Sequence, residues 1–222
     1  MQLATILKWT GRAFPTATAE EKILCSDNSL SRGHQRYARA LKTTGNGREK
    51  KVTGASGIWR NFASIRQDDE TQVMEFVRRW GDPFGELAPG KPSHSDGWDV
   101  IALHLGQVAG FWSDADENGV SHFHNRDVSH RVTIMQDIRR SRPFAGDIGM
   151  AVEVSDQGKI SINAVARSLA GFMLASALAH LDTGQNMRQC EFCADWFAIG
   201  RRDSRFCSPS CRAMHATKTK GH

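Results

Sequence analysis

No run in this chain approaches the roughly 18 consecutive apolar residues that a membrane-spanning helix needs. The opening Met1-Gln2-Leu3-Ala4-Thr5-Ile6-Leu7-Lys8 has neither the basic start nor the apolar stretch of a signal peptide. Both absences point to a cytoplasmic protein with no membrane partner. Also missing are the Gly-x-Ser-x-Gly elbow of hydrolases, the Gly-Lys-Ser phosphate loop and the glycine fingerprint of dinucleotide-binding folds, so nothing in the chain argues for an enzyme. Cysteine is scarce, five in 222 residues. Four of the five crowd between Cys190 and Cys211, and Cys25 stands alone with no apparent partner. In a reducing compartment such close pairs bind metal or do redox work more often than they form disulfides.

What remains is ordinary in bulk and uneven in distribution. Hydrophobic residues at 40% and charged residues at 24% suit a globular protein with a core, and 222 residues allow a main domain plus a small satellite. The formal charge is +5. From Ser29 to Arg60 eight Lys and Arg stand against Glu49 alone, and from Asn186 to His222 seven basic residues stand against three acids. The positive charge therefore gathers toward the two ends.

Residues 1–57 hold few periodic apolar positions, and Thr43–Gly57 is rich in Gly, Thr and Lys; the segment reads as a basic, partly flexible arm. Within it, Gly33–Lys42 could wind into a short basic helix with Tyr37 and Leu41 on one face. Val73, Phe76, Val77 and Trp80 recur at helical spacing behind Asp68 or Asp69 as cap, with Gly81 as stop. Trp98, Ile101, Leu105, Val108 and Trp112 repeat the pattern behind Ser95 or Asp96. Ile148, Met150, Val152 and Val154 alternate, as do Ile160 and Ile162 across a Ser-Asp-Gln-Gly turn, which predicts a β-hairpin near 147–163. A strongly apolar helix then follows, with Asn163 as cap and Gly184 as terminator. The predicted fold class is α+β, mainly α: a helical domain over 58–185 with one β-hairpin, followed by a C-terminal finger over 186–222.

The finger is the most informative stretch. Cys190-x2-Cys193 and Cys207-x3-Cys211 are two close pairs separated by a hairpin-sized loop, the spacing a tetrahedral metal needs. Zinc is the first candidate, with an iron–sulfur cluster or a redox dithiol as alternatives. Ser208 suits a helix N-cap and Pro209 the first helical position, which places Cys207 before a helix and Cys211 in its first turn. Asp195–Ile199 and Ser204–Phe206 can form two strands joined by Gly200-Arg201-Arg202-Asp203. Knuckle, hairpin and helix in that order make a treble clef. His215 is a possible competing ligand, and the paired histidines that treble-clef nucleases carry are absent.

In layout Arg188 to about Lys218, and "RRDSRFCSPSCR" in particular, resembles the C-terminal zinc fingers of the CGNR family. Its members often carry a helical N-terminal domain and are described as stress-related transcription regulators. The family's first cysteine pair is usually more widely spaced, and Cys211 is followed here by Arg212-Ala213-Met214 in place of Gly-Asn-Arg. The resemblance implies a regulatory protein of bacterial type.

Four cysteines close the coordination sphere, so the site reads as structural, not catalytic. Arg201, Arg202 and Arg205 on the loop, with Arg212, His215 and Lys218 on the terminal helix, form a basic set able to contact phosphates of nucleic acid, DNA first. The alternative is a zinc-stapled module that binds another protein or a second copy of itself. Burial of Trp196, Phe197 and Ile199 against the long helix would favour the first; their partial exposure as a patch would favour the second. Elsewhere His122, His124 and His130, with Asp127 and His104 near, read as exposed polar residues before they read as a metal site. Asp114, Asp116 and Glu117 read as a solvated turn.

Overall fold

The computed structural model describes residues 6–25, 36–66, 68–95, 97–124, 128–140, 147–154, 160–201 and 203–220. Arg202, Asp96 and Asp127, named above, fall outside these residues, as does the turn joining the predicted hairpin.

The fold is mixed α/β, which corrects the mainly helical expectation: the described residues form six helices and ten strands in three sheets. The difference lies before residue 57. In place of an arm and a basic helix there are four strands, β1 (Ile6–Ala13), β2 (Thr18–Cys25), β3 (Arg36–Lys42) and β4 (Arg48–Thr53). In β1 the alternation is hard to see because Lys8, Thr10 and Arg12 supply the outward positions, while Trp9 and Ala13 point inward at 4% and 1% exposure. β3 carries Leu41 into the core. Its partners are β2 and β5 (Ser93–His94), and β5 lies some fifty residues away.

Helices α1 (Ile58–Ala63), α2 (Glu70–Trp80) and α3 (Trp98–Ala109) follow. Asp69 caps α2 by accepting from Gln72 N, and the chain leaves at Gly81 with φ 103. There a Cβ would come within 2.1 Å of Arg12 O, so the turn needs glycine for both conformation and space. α3 starts at Gly97 without a side-chain cap, contrary to the expected Ser95 or Asp96. Between α2 and α3 the buried Asp82 carboxylate organises the loop, accepting from the backbone N–H groups of Phe84, Glu86 and Leu87 and from Ser93 Oγ.

β6 (Val120–Ser121) and α4 (Val128–Arg140) lead to the predicted hairpin, β7 (Ile148–Val154) and β8 (Ile160–Ala166). α5 (Leu169–Thr183) is the long apolar helix, but its cap is Ser168, whose Oγ accepts from Gly171 N at 2.9 Å. Asn163 instead lies within β8, because that stretch pairs with β7 on one side and runs parallel to β1 on the other. The largest sheet has the order β4-β1-β8-β7. α5 packs between β1, α1 and α3, with Trp9 against Phe172 at 5.9 Å, and is buried almost all round. The last elements are β9 (Met187–Gln189), β10 (Trp196–Ala198) and α6 (Pro209–Lys220). Among the described residues no helix is long and apolar enough to cross a membrane.

Candidate metal centre

β9 ends one residue before Cys190 and β10 begins three after Cys193, so the first cysteine pair sits at the turn of a short hairpin. The turn is tight. Cys190 N donates to Asp195 O and Ala194 N to Cys190 O, both at 2.8 Å, and Ala194 takes φ 60. This hairpin is not the predicted one. β10 pairs antiparallel with β9, Trp196 opposite Gln189, and Ser204–Phe206 forms no strand. The segment is held instead by Arg188 Nη1 donating to Ser204 O and Glu191 N donating to Arg205 O. β9 also pairs with β6, and the finger thus shares a three-stranded sheet with the rest of the protein.

The second pair sits at the start of α6 as its sequence suggests. Ser208 Oγ accepts from Cys211 N at 3.2 Å, and Pro209 opens the helix. The four sulfurs of Cys190, Cys193, Cys207 and Cys211 lie within 4.8 Å of one another. Cys193 Sγ is 3.6 Å from Cys207 Sγ, and Cys207 Sγ is 3.5 Å from Cys211 Sγ. A disulfide needs about 2.05 Å, whereas a tetrahedron with metal–sulfur bonds of about 2.3 Å has edges of about 3.8 Å. The donors therefore fit a metal ion, and among the described residues this is the cluster able to hold one.

The thiols differ electrostatically. Burial opposes ionisation of Cys190, but the backbone N–H groups of Cys193, Cys207 and Phe192 outweigh it and bring the thiol down to about 7. Burial, with the Asp195 carboxylate near, pushes Cys193 up to about 12. Burial and the hydrogen bonds to Cys211 and Cys193 push Cys207 up as well. Binding a cation would require Cys193 and Cys207 to give up the protons that burial favours.

Around the knuckle, residues far away in sequence fix its position. Asp195 accepts from Asn61 Nδ2 at 2.8 Å and is ion-paired with Arg79, whose Nη1 also reaches Cys193 O at 3.1 Å. Burial raises the Asp195 pKa, and the Arg79 guanidinium opposes that rise. Asn61 Oδ1 accepts from Trp196 N at 3.3 Å. The buried Arg60 guanidinium stacks 3.9 Å from the Trp196 ring centre and donates to Ser121 Oγ at 2.6 Å. None of these three α1 and α2 residues had a local signal, because each partner lies more than fifty residues away.

Of the basic set, Arg201, Arg212 and Lys218 are exposed. Arg205 is exposed but engaged in a two-pronged ion pair with Glu191, which raises its own pKa and lowers that of the carboxyl. His215 is half-buried with its ring 5.1 Å from Phe206, and the sulfur cluster is complete without it. Trp196, Phe197 and Ile199 are all half-buried and Trp196 rests on α1, so they are not buried against the long helix as the first reading expects, and each keeps the partial exposure the second expects. The histidine segment is brought to no common centre. His122 lies 3.4 Å from Asp116, and His130 stacks on Phe111. Asp116 also accepts from Asn118 N and Val120 N, which makes the acidic stretch a turn.

No family model matches this chain, and no curated protein or solved structure does either.

Proposed function

We propose that the four cysteines hold one zinc ion in a closed, structural site, and that the finger built on it contacts nucleic-acid phosphates, those of DNA first, as part of a regulatory protein. Four sulfur donors suit zinc and leave no position open for water or substrate. The bacterial regulatory role is what the resemblance to CGNR fingers implies.

The observation that carries the nucleic-acid reading is α6. It contains Arg212, Lys218, Lys220 and His215 and no acid, and from Pro209 to Thr219 every residue except Cys211 and His215 is exposed. A zinc–tetrathiolate centre has a net charge of about −2, and Arg205 and Arg79 are already matched by Glu191 and Asp195. Phosphate contact therefore falls to Arg201, Arg212 and Lys218, with Arg205 holding the loop that presents them. The test is fluorescence anisotropy of zinc-loaded protein with labelled duplex DNA, single-stranded DNA and RNA over a range of salt. Binding that weakens steeply with salt and is lost on chelation supports the reading.

A second reading has one observation in its favour. Met214 is 48% exposed between Ala213 and the half-buried His215. Absence of binding to every nucleic acid at low salt would make α6 a docking helix for a protein, with zinc as its staple.

A further inference from the structure

Among the described residues the four-stranded sheet ends on β4 at one side and β7 at the other, and the two edges are built differently. β4 reads REKKVT with Arg48, Glu49 and Lys51 exposed, a charged rim that discourages addition of another strand. β7 reads IGMAVEV, and its one charge, Glu153, is paired with Lys8 of β1. Met150 and Val152 are 76% and 65% exposed, more than any other large apolar side chain among the described residues. They sit opposite Ala164 and Ile162 of β8, on the strand positions that alternate with Glu153.

We infer that β7 is a dimer seam: it adds antiparallel to β7 of a second copy of this chain and joins two four-stranded sheets into one of eight strands. The strand's own sequence selects that occupant. A two-fold axis must map hydrogen-bonded pairs onto hydrogen-bonded pairs, which requires a residue that faces its own copy. Pairing over the whole of β7 makes that residue Ala151. Met150 then faces Val152 of the other chain, Ile148 faces Val154, and Glu153 faces Gly149, so no like charges are opposed and apolar residues meet across the seam. The dimer closes on itself, since the outer edges are then the two charged β4 strands.

This inference is independent of the metal and of nucleic acid. Sedimentation velocity on the full chain over a concentration series, with circular dichroism to verify folding, tests it. The unmodified protein is expected to dimerise. M150K/V152K opposes lysine with lysine at both symmetric positions and raises the dissociation constant at least about tenfold. M150K/V152E places each introduced lysine opposite an introduced glutamate and restores dimerisation. A protein that stays monomeric to its solubility limit, a dimer indifferent to M150K/V152K, or failure of the charge-swapped variant to reassociate would overturn the seam.

Discussion

Trp59 Nε1 donates to His180 Nδ1 at 2.8 Å inside the core, between α1 and α5. The bond leaves the histidine proton on Nε2 and the ring neutral. Burial lowers the His180 pKa from 6.5 to about 4. The unfolded chain therefore takes up a proton at a pH where the folded chain does not. Stability from this residue is intact above 6.5, declines as the pH falls, and is fully lost by about 4. Between pH 7.5 and pH 5 the loss is about 2 kcal/mol. Urea unfolding of the native protein and of His180→Gln at both values measures it, and equal pH dependence in the two proteins would rule it out.

Metal uptake should release protons. Cys193 and Cys207 hold theirs in the metal-free cluster, with Cys193 at about 12. Two displaced protons or more make the apparent metal dissociation constant fall at least about a hundredfold for each unit rise in pH near neutrality. Zinc competition against a chromogenic chelator at three pH values reads this directly, and total zinc should come to about one per chain. Cys193→Ser or Cys211→Ser should abolish tight uptake and reduce the helical signal of α6.

Gly57, the residue before α1, is pressed against β10. A Cβ there would lie 1.9 Å from Trp196 O and 2.4 Å from Trp196 C, backbone atoms that cannot swing aside. Gly57→Ala is expected to cost about 2 kcal/mol or more of stability. Asp195→Ala leaves Asn61 and Arg79 without their shared acceptor and should weaken metal binding about ten- to a hundredfold. Thermal unfolding with and without zinc separates the two: the first change lowers both midpoints, and the second narrows the gap between them.

Replacing Arg201, Arg212 and Lys218 together by alanine should flatten the salt dependence of nucleic-acid binding by a slope of about 2 to 3, equally for all sequences. Arg205→Ala acts differently, through release of Glu191 and the loop. An unchanged slope in the triple variant would take α6 out of the interface.

The parts of the fold that were legible in the sequence are those whose signals are local. Asp69 and Gly81 bracket α2, Gly184 ends α5 in the left-handed region, and the alternation around 148–162 is the β7–β8 hairpin. The four cysteines and the Ser208-Pro209 helix start were equally plain, since each depends on neighbours within four residues. What was hidden depends on distant partners. β1 and β4 look like a basic arm until β8 is placed beside Trp9, and Asn163 looks like a cap until Ile6 and Ala151 claim it for the sheet. Asn61 and Arg79 likewise have no meaning for the finger until Asp195 arrives 134 and 116 residues later.

The parallel pairing of β1 with β8 also orders events during synthesis. Ile6 through Trp9 are made 157 residues ahead of their parallel partners, Asn163 through Ala166. Until then β1 has β4 alone, a two-stranded ribbon too small to persist by itself. In that interval Arg48, Glu49, Lys50 and Lys51 put charge along the strand that borders Trp9, which opposes addition of a foreign strand there.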